Sequence, residues 1–225
     1  MGPRGLIIAI DGPSGVGKGT VARAVARRLG YRHVDTGAMY RAVAWAALHR
    51  GVSLEDGPAV TAIAERAAFD LDLGRVAIDG DDVTTAIRTP EIDRAATRVA
   101  RQAPVRAQLV ARQREMGAEG GIVMEGRDIG TVVFPGADLK VFLDASPEER
   151  ARRRANDPTH AGRGAGLASV AVELQARDQS DRTRAVSPLA MAPDAVRIDT
   201  TSVPADEVVR QVCALVDEAR RRASP

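Results

Sequence analysis

The sequence predicts an α/β fold built on a five-stranded parallel sheet, and two patterns support this prediction. Short apolar runs, which are typical of buried strands, alternate along the chain with longer segments of helical periodicity. The first such run, residues 6–10, ends at a glycine-rich segment that leads directly into a helical pattern. Because 225 residues lie near the upper limit for a single core, we expect one compact domain that carries insertions.

The first elements follow from the spacing of apolar residues and from stop signals. Apolar residues recur at helical spacing over 18–29, and Gly30 supplies a stop signal. A short strand at about 32–34 precedes a helix over 38–49, and Thr36 is placed to cap that helix. The sequence therefore predicts strand, glycine loop, helix and second strand without a gap.

Residues 69–84 have a different pattern. Apolar and polar residues alternate there, with turn signals at 73–74 and 79–81. This pattern indicates a small antiparallel hairpin unit, inserted into an otherwise α/β chain. Helical patterns resume over about 91–117.

The second half of the chain returns to alternating strands and helices. The predicted elements are strands at 121–124, 139–143 and 196–198, helices at 147–155 and 205–222, and a helix ending at about 181. Polar residues 125–128 follow a strand, a position that marks the edge of a site in parallel sheets. Residues 156–166 are rich in glycine and lack an apolar period, which predicts an exposed, mobile loop.

Composition excludes several functional classes. Cys213 is the only cysteine, so disulfide frameworks and cysteine-based zinc sites are excluded, and we expect a buried structural thiol. The three histidines, His33, His49 and His160, are not at metal-ligand spacing and are expected on the surface or in helices. No segment approaches the roughly 20 apolar residues of a membrane span, and the N-terminal apolar run is too short for a signal peptide, so we expect a cytoplasmic protein without a membrane partner. The net charge is only +2, and no stretch interleaves basic and aromatic residues, so no nucleic-acid partner is expected.

The strongest motif is GPSGVGKGT at residues 12–20, which has the G-x-x-x-x-G-K spacing of a phosphate-binding loop. The residues predicted to bind the phosphates are Gly12, Pro13, Ser14, Gly15, Val16, Gly17, Lys18, Gly19 and Thr20. Glycines allow backbone N–H groups to turn inward around a β-phosphate, while the helix dipole adds positive charge and Lys18 bridges the β- and γ-phosphates. The motif therefore predicts a nucleoside triphosphate as ligand.

The end of this loop indicates a narrower class of nucleotide-binding protein. The loop ends in GKGT, with Gly19 directly after Lys18, whereas the general pattern places Ser or Thr there. GKGT resembles the form found in the adenylate kinase group of nucleoside monophosphate kinases. Thr20 is the candidate Mg²⁺ contact, either directly or through water, and Asp35 and Glu125, near the ends of strands, are candidates to orient Mg²⁺-bound water.

Longer blocks make the resemblance specific. The blocks are DTGAMYR at 35–41, IRT at 87–89, EGRDIGTVVFP at 125–135, RD at 177–178 and DRTRAVSPL at 181–189. In order and spacing they resemble bacterial cytidylate kinases from about residue 6 to 200. The resemblance implies a monomeric enzyme of pyrimidine nucleotide metabolism that transfers the γ-phosphoryl group of ATP to CMP or dCMP, with Mg²⁺, giving ADP and CDP or dCDP.

The resemblance also implies the architecture. We expect the three-layer fold of P-loop NTPases, with a five-stranded parallel sheet, an acceptor-binding insertion that contains the small antiparallel sheet, and a short lid. In this single kinase domain the core comprises about 1–35, 105–155 and 167–225, the insertion about 36–104, and the lid about 156–166.

The resemblance also implies which residues of this sequence form the site. The implied acceptor-binding residues are Thr36, Arg41, Thr97, Arg106, Arg127, Asp128, Arg177, Asp181 and Arg184. The implied catalytic residues are Lys18, Arg127, Arg153 and Arg184, and Arg154 is expected to bind ATP when the lid closes. Because the acceptor phosphate is already anionic, positioning and charge neutralisation are needed rather than a catalytic base.

The sequence leaves three alternatives open. Asp128 is expected to accept from the N4 amino group of cytosine, which uracil lacks, but a solvated acid or a partner of Arg127 is the simpler interpretation. Arg177, Asp181 and Arg184 are spaced to share one helix face, but such a run also suits a surface ion-pair ladder. Finally, adenylate, shikimate or dephospho-coenzyme A kinases share the glycine loop, whereas a P-loop GTPase would need an Asn/Thr-Lys-x-Asp motif in which neither lysine lies.

Overall fold

The structure, a computed structural model, describes residues 5–72, 74–157 and 166–223. Its strands are β1 (Ile7–Asp11), β2 (Arg32–Asp35), β3 (Phe69–Asp72), β4 (Arg75–Ile78), β5 (Asp81–Asp82), β6 (Ile122–Gly126), β7 (Leu139–Asp144) and β8 (Val196–Asp199). Its α-helices are α1 (Lys18–Leu29), α2 (Thr36–His49), α3 (Gly57–Arg66), α4 (Pro90–Val99), α5 (Ala103–Gly117), α6 (Pro147–Ala155), α7 (Leu167–Thr183) and α8 (Ala205–Ala223).

The main sheet confirms the predicted five parallel strands, in the order β2-β6-β1-β7-β8. The central strand β1 pairs with β6 on one side and with β7 on the other, so that Ile8 lies opposite both Val123 and Leu139. Every residue of β1 and β6 is buried. Burial on both faces explains why these strands are continuous apolar runs rather than alternating ones.

The sheet lies between two helical layers. On one face Ile8 and Ile10 pack with residues of α1 and α8. On the other face Ile7 and Ala9 pack with Val110 of α5. Successive side chains of a strand point to opposite faces, so β1 alone contributes to both cores. This arrangement confirms the predicted three-layer α/β fold.

A separate apolar cluster is formed by α2, α3, α4 and α5 together with the three-stranded antiparallel sheet β3-β4-β5. This sheet confirms the predicted hairpin unit, although residue 73 of its first turn lies outside the described residues. The helix α3 was not predicted. The helical patterns predicted over about 91–117 form two helices, α4 and α5, and Pro104 near the start of α5 marks the boundary because it cannot continue a preceding helix.

The predicted cap of α2 is wrong. The strand β2 extends to Asp35, and the Asp35 side chain accepts from the Ala38 N–H at 3.0 Å. Thr36 is the first residue of the helix, and its hydroxyl donates to the carbonyl oxygen of Glu125 at 2.7 Å. Aspartate takes the capping position because its carboxylate reaches the free N–H groups of the first turn.

Two further expectations concern the predicted lid and membrane-spanning segments. Residues 158–165 of the predicted lid lie outside the described residues, and the division into core, insertion and lid stays a prediction. Among the helices that the structure describes, none combines the length and apolar character of a membrane span.

Candidate active site

A cleft of about 980 Å³ lies at the carboxyl ends of β2 and β6 and beside the start of α1. All predicted acceptor-binding residues line it: Thr36, Arg41, Thr97, Arg106, Arg127, Asp128, Arg177, Asp181 and Arg184. Six of the nine predicted loop residues line it as well, whereas Gly12, Pro13 and Val16 do not. The structure thus brings together residues that are up to 170 positions apart in the sequence.

The phosphate-binding loop has the backbone that its glycines predict. Gly17 caps α1 with φ +90°, and Gly12 has φ +148°. A side chain at Gly12 would place its Cβ 2.1 Å from the carbonyl oxygen of Leu143, so β7 leaves no room for one. These positions require glycine, because L-residues with side chains rarely adopt such φ values.

Lys18 is buried at the start of α1, and its Nζ donates to the carbonyl oxygen of Pro13 at 2.6 Å. Burial lowers the pKa of Lys18 to about 7, and the positive charge of Arg127 acts in the same direction. The negative charge of a bound anion would oppose both effects, because it favours the protonated lysine. The lysine is therefore placed where phosphate oxygens would stabilise its charge.

Asp11 is a buried residue of this region to which the sequence prediction gave no role. Its carboxylate accepts from the N–H groups of Ile129, at 2.9 Å, and Gly130, at 2.7 Å. Burial raises the pKa of Asp11 to about 6, although these two hydrogen bonds oppose the shift. Both donors follow Asp128 directly and belong to a π-helical turn over Ile129–Val133, so Asp11 fixes the backbone next to Asp128.

Asp128 is buried and forms a close ion pair with Arg106. Its other carboxylate oxygen lies 3.5 Å from Arg184. The Arg106 guanidinium lies 5.2 Å from the centre of the Tyr40 ring, a cation–π geometry. The interpretation of Asp128 as a solvated acid or a partner of Arg127 is therefore wrong.

Arg127 pairs instead with Asp181 at 2.8 Å. Burial alone would lower the pKa of Arg127, but the Asp181 carboxylate outweighs it and raises the pKa. Helix α7 ends at Thr183, one residue before Arg184, yet Arg184 still lies 3.7 Å from Asp181 and is buried. The interpretation of Arg177, Asp181 and Arg184 as a surface ion-pair ladder is therefore wrong, because all three line the cleft.

Asp35 lies near two further arginines on the side of the cleft formed by α2. Arg41 pairs with it at 2.8 Å, and Arg88 lies 3.9 Å away. Burial acts to raise the pKa of Asp35, but Arg41 and Arg88 hold it well below its usual range. The sequence prediction gave Arg88 no role, although it lines the cleft and belongs to one of the resembling blocks.

The arginines of α6 lie on two sides of the phosphate loop. Arg154 forms a close ion pair with Asp93, which also lies 3.2 Å from Arg177. Arg153 turns the other way and donates to the Thr200 hydroxyl at 2.9 Å and to the Val16 carbonyl at 3.3 Å. Thr97 lines the cleft, while its hydroxyl donates to the backbone of its own helix at 2.9 Å.

A second cavity, of about 420 Å³, adjoins the loop on the Arg153 side. Its walls come from the loop, from α6 and from residues 200–205, a segment that the sequence prediction did not place in a site. Gly17, Thr20, Arg152 and Arg153 line both cavities. The two cavities therefore meet at the phosphate-binding loop.

The residues that could face Mg²⁺ are Thr20, Asp35 and Glu125, which all line the cleft. Glu125 lies close to the loop, because a Cβ at Gly19 would be 3.3 Å from Glu125 Oε1. The same oxygen is 2.9 Å from His33 Nε2. His33 is buried in β2, so its expected place on the surface or in a helix is wrong. Within the described ranges no three His, Cys, Asp or Glu side chains group as a metal site.

Comparisons with known proteins agree with this geometry. The family model for cytidylate kinase matches residues 8–218. A cytidylate kinase of Desulfitobacterium hafniense is 47% identical, over 96% of this chain and 94% of its own length. One of Desulforamulus reducens is 49% identical, over 95% and 97% respectively. A bifunctional pantoate ligase/cytidylate kinase of Synechocystis is also 49% identical, but the match covers only 42% of that longer protein.

Two solved structures are similar in fold. A gluconokinase of Sinorhizobium meliloti has a TM-score of 0.52 and 18% identity, with 98% of this chain and 95% of that chain covered. An uncharacterized protein of Eubacterium ventriosum has a TM-score of 0.54 and 12% identity, with 95% and 98% covered. At these identities they show a shared fold alone. The sequence matches go further and extend over nearly the whole length, and on this evidence the chain belongs to the cytidylate kinase family.

Proposed function

We propose that the chain is an ATP-dependent nucleoside monophosphate kinase that transfers the γ-phosphoryl group of ATP to CMP or dCMP, giving ADP and CDP or dCDP. The observation that carries this proposal is the buried pair of Asp128 and Arg106, which lies in the same cleft as the phosphate-binding loop. A loop of this kind serves many kinases, whereas a buried carboxylate in the acceptor region makes a choice among bases.

Cytosine and uracil differ at one position that a carboxylate can read. Cytosine presents an N4 amino donor, and uracil presents an O4 acceptor there. Asp128 would accept from the first and repel the second. Arg106 and Arg184 hold the carboxylate from two sides, so it is already oriented before a nucleotide arrives. A hydrogen bond to a charged group contributes about 1.5–3 kcal/mol, and this energy would favour cytosine over uracil.

Phosphoryl transfer needs positive charge rather than a base. The attacking oxygen belongs to the acceptor phosphate and is already anionic. Lys18, Arg41, Arg127 and Arg184 line one cleft, and the ion pairs with Asp35 and Asp181 fix Arg41 and Arg127 in place. Guanidinium groups held in this way stabilise the charge of the transferring group without reorganising.

The donor nucleotide is proposed to lie across the loop. Its phosphates would contact the loop and Lys18 in the main cleft, while its nucleoside would extend into the second cavity, which α6 and residues 200–205 line. The shared lining at Gly17 and Thr20 supports this, because a donor must reach the acceptor through that point. Arg153 and Arg154, at the end of α6, are proposed to move toward ATP when the predicted lid closes.

Mg²⁺ is proposed as the cofactor. Thr20, Asp35 and Glu125 offer the hard oxygen ligands that this ion prefers. Because no three-ligand group is found in the described part of the chain, most ligands would come from the phosphates and from water, which fits a site that binds Mg²⁺ together with ATP. When bound, the ion neutralises charge on the β- and γ-phosphates. The monomeric state, the cytoplasmic location and the absence of a nucleic-acid partner stay predictions.

An acceptor profile tests the proposal. ADP formation is measured with Mg-ATP and, in turn, AMP, CMP, dCMP, UMP, GMP and shikimate. We expect CMP and dCMP to give the highest kcat/KM. If another acceptor gave the highest value, the phosphate loop would keep its role, but the roles of Arg106, Asp128 and Arg177 would be wrong.

A further inference from the structure

A buried ion pair lies behind the phosphate-binding loop, outside both cavities. It joins Arg150 of α6 to Asp178 of α7 in a close contact. Both residues are buried, and neither lines the cleft or the second cavity. The pair is therefore separate from the residues proposed to contact nucleotides.

The pair holds both backbone polar groups of one loop residue. Asp178 Oδ1 accepts from the Ser14 N–H at 3.3 Å. Arg150 Nη1 donates to the Ser14 carbonyl oxygen at 3.2 Å. Ser14 is itself buried, so these bonds replace contacts that water would otherwise provide.

The next loop residues have their N–H groups left for a ligand. Within the described part of the chain, the N–H groups of Gly15, Val16 and Gly17 have no hydrogen-bond acceptor. Gly15 also packs directly on α6, since a Cβ there would lie 3.0 Å from the Arg150 Cβ and carbonyl oxygen. Consecutive free N–H groups in a loop with positive φ angles form a concave anion site.

We propose that Arg150 and Asp178 are positioning residues that hold this loop in its phosphate-binding shape. A buried ion pair seldom adds net stability, so its value here lies in geometry. Fixing Ser14 from behind leaves its own N–H unavailable to a phosphate and sets the direction of the peptides that follow. The inference rests on the proposed donor site for the identity of the anion, namely the phosphates of ATP.

The first test is equilibrium binding of ATP, without acceptor, to Arg150→Lys and Asp178→Asn. Each substitution leaves buried polar groups of the pair and of Ser14 incompletely bonded, and we expect ATP affinity to fall by about 10- to 100-fold. The KM for CMP should change by less than about threefold. Matched controls on exposed positions of α7 are Arg182→Lys and Glu173→Gln, which should bind ATP as the wild type does.

Unchanged ATP affinity in a folded Arg150→Lys or Asp178→Asn variant would overturn the proposal. So would equal losses for ATP and CMP, because that result indicates general disruption. Binding without acceptor keeps this test separate from the proposed function. If the wild type bound ATP but did not phosphorylate CMP, only the acceptor assignment would fail.

A second measurement uses the wild type and does not depend on how the variants fold. Hydrogen exchange is followed at the loop amides with and without ADP. We expect the Ser14 amide to be protected in both states and the amides of Gly15 to Gly17 to gain protection only with ADP. A Ser14 amide that exchanges as fast as its neighbours without ADP would contradict the proposal that Arg150 and Asp178 hold Ser14 in place.

Discussion

The carboxylate of Asp11 accepts a hydrogen bond from the N–H of Gly130, 2.7 Å away. Asp11 ends the central strand directly before the phosphate loop, and Gly130 follows Asp128 by two residues. One carboxylate thereby connects the donor side of the site to the proposed base-reading residue. Burial raises its pKa to about 6, so its protonation changes over an accessible pH range.

The first prediction follows from that pKa. The folded-state pKa of Asp11 lies above its unfolded value of 3.8, so the folded protein disfavours the charged form. The unfolding free energy of the wild type, relative to Asp11→Asn, should therefore fall as pH rises from about 4 to about 6, by an amount on the order of 3 kcal/mol. Urea unfolding of both proteins at several pH values measures this difference. A difference that does not change with pH would show that Asp11 does not titrate as described.

Lys18 gives the second prediction. Lys18→Met should reduce phosphoryl transfer by at least about 100- to 1,000-fold, because the charge that faces the transferring phosphoryl group is lost. The fold should persist, since burying a charged group offers little stability. Activity and circular dichroism are measured together. The control is Lys140→Met, the other lysine, which pairs with Asp194 away from the cleft and should retain activity.

Gly12 gives a prediction about stability. Gly12→Ala should lower the free energy of unfolding by about 2–4 kcal/mol, because its Cβ would meet the Leu143 carbonyl oxygen at 2.1 Å and its φ of +148° is strained for alanine. Chemical denaturation provides the value. Gly136→Ala is the matched control, since nothing lies within 4 Å of a Cβ there. Equal effects of the two substitutions would argue against the described loop backbone.

The cofactor proposal predicts a specific effect of Glu125. Chelation of Mg²⁺ should abolish transfer, and Glu125→Gln should raise the Mg²⁺ concentration that gives half-maximal rate, because an amide orients metal-bound water less strongly than a carboxylate. Initial rates over a Mg²⁺ series at fixed ATP measure the shift. Glu119→Gln, at an exposed position, serves as control. An unchanged Mg²⁺ dependence would remove Glu125 from the metal site.

The sequence predicted local elements well where one short pattern determines them. The helix over 18–29 has the predicted bounds, because apolar spacing and Gly30 define it without help from the rest of the chain. The π-helical turn after Asp128 was not predicted, because its N–H groups bind Asp11, more than 100 residues earlier. A hydrogen bond between residues so far apart produces no periodic pattern in the sequence from which it could be predicted.

The membership of the site was easier to predict than its pairings. The family blocks located Asp128 and Asp181, and the resemblance as a whole implied Arg106, but no pattern indicated that Asp128 pairs with Arg106 rather than Arg127. Arg150 lies in a segment rich in arginines, a pattern that is typical of a solvent-exposed helix face. Arg150 is nevertheless buried, because α6 packs on the phosphate-binding loop. Partners that depend on tertiary packing could not be predicted from spacing.

The most direct test of the central claim compares CMP and UMP as acceptors for the wild type and Asp128→Asn. The asparagine amide can accept from cytosine N4 or donate to uracil O4, so the carboxylate's preference should be lost. We predict that the ratio of kcat/KM for CMP to that for UMP falls by about tenfold or more. An unchanged ratio, with both acceptors losing activity equally, would contradict the claim that Asp128 reads the base.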